Sequence, residues 1–189
     1  MSDFRARGKG RVAVQLPPYA AGLIASLTRQ LVELLSDGEV QETRSTDPLE
    51  AMLEVDTPRD RPEDPALRRL LPDAHRDDAE ASAEFRRFTE RSLRDSKVAD
   101  AKTVLETLGL PGGEVGEADL EFELDRDQQR AWLRCLTDLR LTLAERLGVE
   151  SGDEDTWAGL PDDDERRPVY EIYGWLGYLL ESLIDVVKV

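Results

Sequence analysis

A mainly α fold, an irregular bundle of about five helices with a small antiparallel sheet, is predicted by three observations. Apolar residues, leucine foremost, recur at three- and four-residue steps in several long segments, which is the period of a helix burying one face. Two short segments at the N-terminus and one at 118–124 instead alternate with period two, the mark of half-buried strands. Gly- and Pro-containing stops separate these stretches, with no internal repeat and no low-complexity tract.

The opening reads as a hairpin. Residues 3–7 and 11–16 alternate, and Gly8-Lys9-Gly10 supplies the positive-φ positions a tight turn requires. Pro17-Pro18 suits a helix start, where a missing N–H costs little. Ala20, Leu23, Ile24, Leu27, Leu31, Leu34 and Leu35 then form one apolar stripe, with a stop expected near Asp37-Gly38. Residues 38–78 are Pro-rich and acidic. They predict a short helix at about 47–54, a turn of helix at 66–71 and mobile loops.

From Ala79 the helical pattern resumes with Phe85, Phe88 and Leu93. A break is expected at Asp95-Ser96, with Ser96 capping a second helix that buries Val98, Ala101, Val104, Leu105 and Leu108. Leu120, Phe122 and Leu124 alternate with Glu121 and Glu123, predicting a strand that pairs with the N-terminal hairpin, since alone it would leave backbone groups unpaired. Asp125 or Asp127 caps the next helix, whose stripe is Trp132, Leu136, Leu139, Leu143 and Leu147 and whose end is Gly148. An acidic loop at 150–165 leads to a last helix beginning around Arg167-Pro168. That helix has the widest apolar face in the chain. Gly174 and Gly177 lie within it, at about 1 kcal/mol each relative to Ala; close approach of another backbone is the expected compensation, which places this helix centrally in the bundle.

Composition narrows the function. The 189 residues suit one domain, 1–189, and carry 25 Lys+Arg against 41 Asp+Glu, a formal charge of −16. Such a field repels nucleic-acid backbones and anionic membranes and suits basic protein partners. One Cys excludes an intrachain disulfide, and one His excludes a multi-His metal site. The start of the chain lacks the apolar run of a secretory signal, and no apolar stretch reaches the ~18 residues of a membrane span, so a cytoplasmic location is expected.

Several features are candidates for function, most of them beside a plainer reading. Arg5, Arg7, Lys9 and Arg11 are all odd-numbered and tend to share one side of the hairpin; they form either a small phosphate- or nucleic-acid-binding edge or cross-strand ion pairs with Glu121 and Glu123. Cys135 lies at the edge of its helix stripe beside Arg134: either an acidified, oxidisable thiol or a small hydrophobe at the flank of the core. The acidic runs at 153–155 and at Asp162, Asp163, Asp164 and Glu165 lack the spacing of a calcium loop, and the second run precedes a helix, where negative charge favours the dipole. His75 falls in the Pro-rich region, as an exposed loop residue. At the C-terminus, Ile184, Val186, Val187 and Val189 spill around the helix, an excess that suits a second copy of the chain or a partner helix.

The chain as a whole resembles an actinobacterial family catalogued as a domain of unknown function, which includes an oxidative-stress-responsive transcriptional regulator. The residues carrying the resemblance are Leu16-Pro17-Pro18 after a basic strand, Asp47-Pro48-Leu49, Phe85-Arg86, Asp95-Ser96-Lys97, Leu139-Arg140 and the Tyr170-Glu171-Ile172-Tyr173-Gly174-Trp175-Leu176-Gly177-Tyr178-Leu179 segment. The resemblance implies a redox-linked regulator that acts with a sigma factor. It also implies a switch through closely spaced cysteines, from which this sequence departs: Cys135 has no second cysteine, so only a sulfenic acid, a mixed disulfide or a bridge between two subunits remains.

The reading that follows is a non-enzymatic regulatory protein using protein–protein contacts, with no cofactor and no metal. Its contact surfaces are expected at Asp162, Asp163 and Asp164 and at Tyr170, Trp175 and Tyr178 of the last helix, where one buried aromatic anchor contributes appreciably to affinity. The alternatives are direct nucleic-acid binding through the basic hairpin and a carboxylate-based metal protein or enzyme.

Overall fold

The computed structural model describes residues 3–40, 62–73, 79–110, 116–150, 157 and 159–187. The helix expected at 47–54, His75 and the acidic run 153–155 lie outside these residues. Within them the order is β1 (Asp3–Arg7), β2 (Arg11–Leu16), α1 (Pro18–Val40), α2 (Pro65–Leu70), α3 (Ala79–Leu108), β3 (Leu120–Leu124), α4 (Arg126–Leu147) and α5 (Arg167–Val187). Mainly helical, with a three-stranded antiparallel sheet in the order β1-β2-β3, the architecture is the expected one.

The sheet follows from alternation. Phe4 pairs with Val14 and Val14 with Phe122, while Val12 lies between Ala6 and Leu124. Phe4, Val12, Val14, Leu16 and Leu124 are all buried against the helices. The β1–β2 turn is a short 3₁₀ segment in which Lys9 and Gly10, not Gly8, take positive φ, at 66° and 72°.

Helix ends mostly obey their capping residues. α1 starts at Pro18 as the proline pair suggests, but it runs through Gly38 to Val40 instead of stopping there. Asp64 caps α2, accepting from Ala66 N at 2.7 Å, and its other carboxylate oxygen meets Arg146 Nη2 of α4 at 2.6 Å. At the start of α4, Asp125 accepts from the backbone of Asp127 and Gln128 while Gln128 accepts from Asp125 N, each at 2.9 Å, a reciprocal capping box. Gly148 ends that helix at φ 74°.

α3 departs from expectation twice. It is one continuous helix of 30 residues, roughly 45 Å at 1.5 Å per residue, with no break at Asp95-Ser96 and Ser96 in mid-helix. No Gly or Pro lies between 79 and 108 to interrupt it. Among its described side chains, several polar ones are also buried where apolar ones are expected, while the side chain of Phe88 lies outside those described. Phe85 is 44% exposed and Leu93 38%, whereas Ser82, Glu90, Arg94 and Asp100 are buried. The burial is possible because partners are in place: Arg94 binds Glu90 at 2.8 Å and donates to the Leu35 carbonyl of α1 at 2.9 Å. Lys97 binds Asp138 and Arg134 binds Asp100, both at 2.6 Å and both joining α3 to α4.

The central helix is α4, not the last one. It touches α1, α2, α3, α5 and β3, while α5 packs on α4 and β1. Trp132 of α4 sits at the middle of the core, fully buried, edge-on to Phe4 at 6.1 Å and donating through Nε1 to Thr107 Oγ1 at 2.8 Å. The atoms nearest to the α5 glycines among the described residues are not backbone. Gly174 faces open space, and Gly177 faces the Arg140 guanidinium of α4. Among the described residues no helix is long and apolar enough to cross a membrane.

Candidate functional site

α5 sorts its side chains cleanly. Leu176, Leu179 and Leu183 are buried, while Glu171, Gly174, Tyr178, Glu181 and Asp185 are exposed at successive helical steps. The outward stripe is therefore acidic with one aromatic ring at its centre: Tyr178 is 49% exposed. An exposed tyrosine among carboxylates is a shape and charge that a basic helical surface complements. The C-terminal apolar excess is mostly covered, with Ile184 and Val186 half-buried and Val187 exposed; Val189 lies outside the described residues.

The other aromatic candidates do not join Tyr178. Trp175 is half-buried against the core. Tyr170 is inside a cluster of its own, stacked on the buried Trp157 at 5.4 Å and 6.0 Å from Tyr173. Arg140 lies over the Tyr173 ring at 4.7 Å. Arg166 covers Trp157 at 5.5 Å. A shallow groove of about 260 Å³ borders this cluster, with Arg69, Thr137, Arg140, Trp157, Tyr170 and Tyr173 on its walls. Sequence reasoning missed Trp157 and Arg140 as parts of one cluster. The available signal was a lone tryptophan in an otherwise acidic loop.

The acidic turn before α5 is half compensated by the two arginines that follow it. Asp162 meets Arg167 at 2.7 Å. Asp164 accepts from the Arg166 side chain at 2.7 and 3.0 Å and from its backbone N at 2.9 Å, contacts that hold its carboxyl down to about 2. Asp163 and Glu165 are exposed, with no ion pair among the described residues. The run thus organises the entry into α5 more than it presents a uniform negative patch.

Cys135 is not at the flank of its stripe. It is 1% exposed, with Thr28 Oγ1 of α1 at 3.9 Å from its sulfur. Burial pushes the thiol up to about 12; the hydrogen bond with Thr28 opposes it, the nearby carboxylates Asp138 and Asp100 add to it, and Lys97 opposes it least. Acidification by Arg134 does not occur, because that guanidinium is turned to Asp100 with two contacts of 2.6 Å.

On the hairpin, Arg5 opposes Ala13, which in turn pairs with Glu123, so cations and carboxylates share the outer face of the sheet. Arg11 meets Glu123 at 3.5 Å, as the charge-pairing reading requires. Lys9 belongs to the turn rather than to a strand, so the four basic residues do not form one even row. Among the described residues no three of His, Cys, Asp and Glu converge to hold a metal ion.

Comparison with known proteins places these features in a lineage. The profile of a family described as a domain of unknown function, DUF2017, matches residues 1–187. Two proteins named oxidative stress regulator AosR, from Mycobacterium tuberculosis strain H37Rv and from Mycobacterium bovis, are each 30% identical over 191 residues, covering 94% of this chain and 82% of theirs. No solved structure is significantly similar.

Proposed function

The chain belongs to the DUF2017 family, and from that premise we propose that it is a non-enzymatic regulator of the oxidative-stress response, acting through protein–protein contacts with a sigma factor. The mycobacterial relatives named as oxidative stress regulators support the regulatory part of this reading. The observation that carries the contact mechanism is the α5 stripe, an exposed Tyr178 set among Glu171, Glu181 and Asp185. A sigma factor must bind DNA, so it offers basic helical surfaces that an acidic stripe attracts and orients. Tyr178 serves as the anchor that leaves water on binding.

A buried, poorly ionised Cys135 makes direct thiol sensing a slow process in the resting protein. Regulation by contact needs no reactive thiol. The test is transcript profiling after a peroxide pulse in cells lacking the gene, complemented with the parent chain or with Tyr178→Asp. Loss of oxidant-induced transcripts that the parent restores and the variant does not is the expected result. Full restoration by Tyr178→Asp, or no transcript change on deletion, overturns the proposal.

A further inference from the structure

Two like-charge pairs, each unfavourable within its own element, converge on one groove. Arg7 and Arg11 are direct cross-strand partners in the hairpin, an arrangement in which two cations repel. Arg126 and Arg130 stand one turn apart at the start of α4, where both their mutual repulsion and the helix dipole oppose positive charge. The hairpin turn, the first turns of α4 and the last turn of α5 border a groove of about 540 Å³, and all four arginines line it together with Val186 and Val187. In a chain of net charge −16 this is a local reversal of sign.

The groove is held by specific contacts. Buried Gln129 donates from Nε2 to the Gly10 carbonyl at 2.8 Å and to that of Leu124 at 3.0 Å, fixing the turn to α4. A Cβ on Gly10 would stand 2.9 Å from Arg126 Nε, so the glycine, already at φ 72°, leaves room for that guanidinium. Glu123 and Asp127 engage Arg11 at 3.5 Å and Arg130 at 2.9 Å, but these pairs are well exposed and exchange readily. Arg7 and Arg126 have no ion pair among the described residues.

We infer that this groove binds a compact, multiply charged phosphate anion of the di- or triphosphate class. Guanidinium forks match phosphate oxygens in pairs, and one small anion bridging the four groups removes both repulsions together. A duplex fits less well, because its successive phosphates extend beyond the patch onto acidic surface. A compact anion stays within roughly a Debye length, about 8–10 Å, of the arginines. No aromatic side chain lines the groove, so the phosphates rather than a base are what it recognises. This inference is independent of the proposed sigma-factor contact.

The test is calorimetric titration of the full chain with inorganic triphosphate at low salt, on the parent and on Arg7→Ala, Arg126→Ala, the double variant and an α3 surface control, Arg91→Ala. Saturable one-to-one binding, weakened roughly tenfold by either single groove variant, lost in the double and unchanged in the control, is expected. Circular dichroism verifies that the variants are folded. Absence of binding to the parent, equal binding by Arg126→Ala, or equally tight binding of tetraglutamate or duplex DNA overturns the inference.

Discussion

Arg140 fills the space that a side chain at Gly177 would need. Its Cζ and Nη2 stand 3.2 Å from the position of a Cβ there, and the same guanidinium lies over Tyr173 at 4.7 Å. Its Nε is buried without a hydrogen-bond partner among the described residues, and the guanidinium packs against the ring. α4 and α5 are thus locked through one planar cation between a ring and a glycine.

The two mid-helix glycines should therefore behave differently. Gly174 meets nothing within 4 Å, so Gly174→Ala gains helix propensity and raises stability by about 0.5–1 kcal/mol. Gly177→Ala has the same propensity gain but displaces Arg140 from Tyr173, and it should be neutral or destabilising. Urea unfolding of the two variants measures the difference; equal stabilisation by both would show that Arg140 is not locked.

The Lys97–Asp138 pair joins α3 to α4 at 2.6 Å, with the carboxylate buried and the lysine side chain 17% exposed. Lys97→Met should cost about 3 kcal/mol near pH 7, because it strands a buried carboxylate. Burial already raises Asp138, and Lys97 only partly offsets that. Without Lys97 the folded state holds the Asp138 proton still more tightly than the unfolded state does. The deficit is then complete above the folded value and shrinks as pH falls through it toward about pH 4. Denaturant melts of parent and variant across that range check the sign, and a deficit that widens on acidification would contradict it.

Cys135 should be silent to thiol reagents in the folded protein. At about pH 8 a thiol pushed up to about 12 and 1% exposed is neither ionised nor reachable. Ellman's reagent should give no native-state reaction and one equivalent in denaturant. Rapid native labelling would show that α1 and α4 open around Thr28 and Cys135.

The capping box predicts a smaller, local effect. Asp125→Ala removes the acceptor for two backbone N–H groups and should lower stability by about 1 kcal/mol. Asp127→Ala loses only the exposed pair with Arg130 and should lie within about 0.5 kcal/mol of the parent. Thermal melts of the two variants separate the cap from its neighbour.

Much of this architecture is legible in the chain because its signals are local. The hairpin ends at 7 and 11 follow from alternation around Gly8-Lys9-Gly10, and β3 pairs with β2 because a strand reading Leu-Glu-Phe-Glu-Leu needs a neighbour. Asp125 and Gly148 bracket α4 by cap chemistry. The buried face of α3 is less legible, since periodicity counts Phe85 and Leu93 as core while the residues that go inside are Glu90 and Arg94. Their burial depends on each other and on the Leu35 carbonyl, a partner 59 residues away from Arg94. The central place of α4 is hidden for a similar reason: the apolar face of α5 is wider, but α4 packs on each of the other described helices. Nor does spacing reveal that Arg7 and Arg126 line one groove, which the Gln129–Gly10 contact helps to hold. Of the expected contact residues, Tyr178 is presented, whereas Tyr170 and Trp175 are largely taken up by packing.

The most direct measurement is a calorimetric titration of the purified chain with each sigma factor of its own organism, repeated with Tyr178→Ala. One saturable, one-to-one interaction that weakens at least tenfold in the variant and declines with added salt is the predicted result. Binding to none of the sigma factors, or binding that Tyr178→Ala leaves unchanged, would contradict a regulator that works through the acidic face of its last helix.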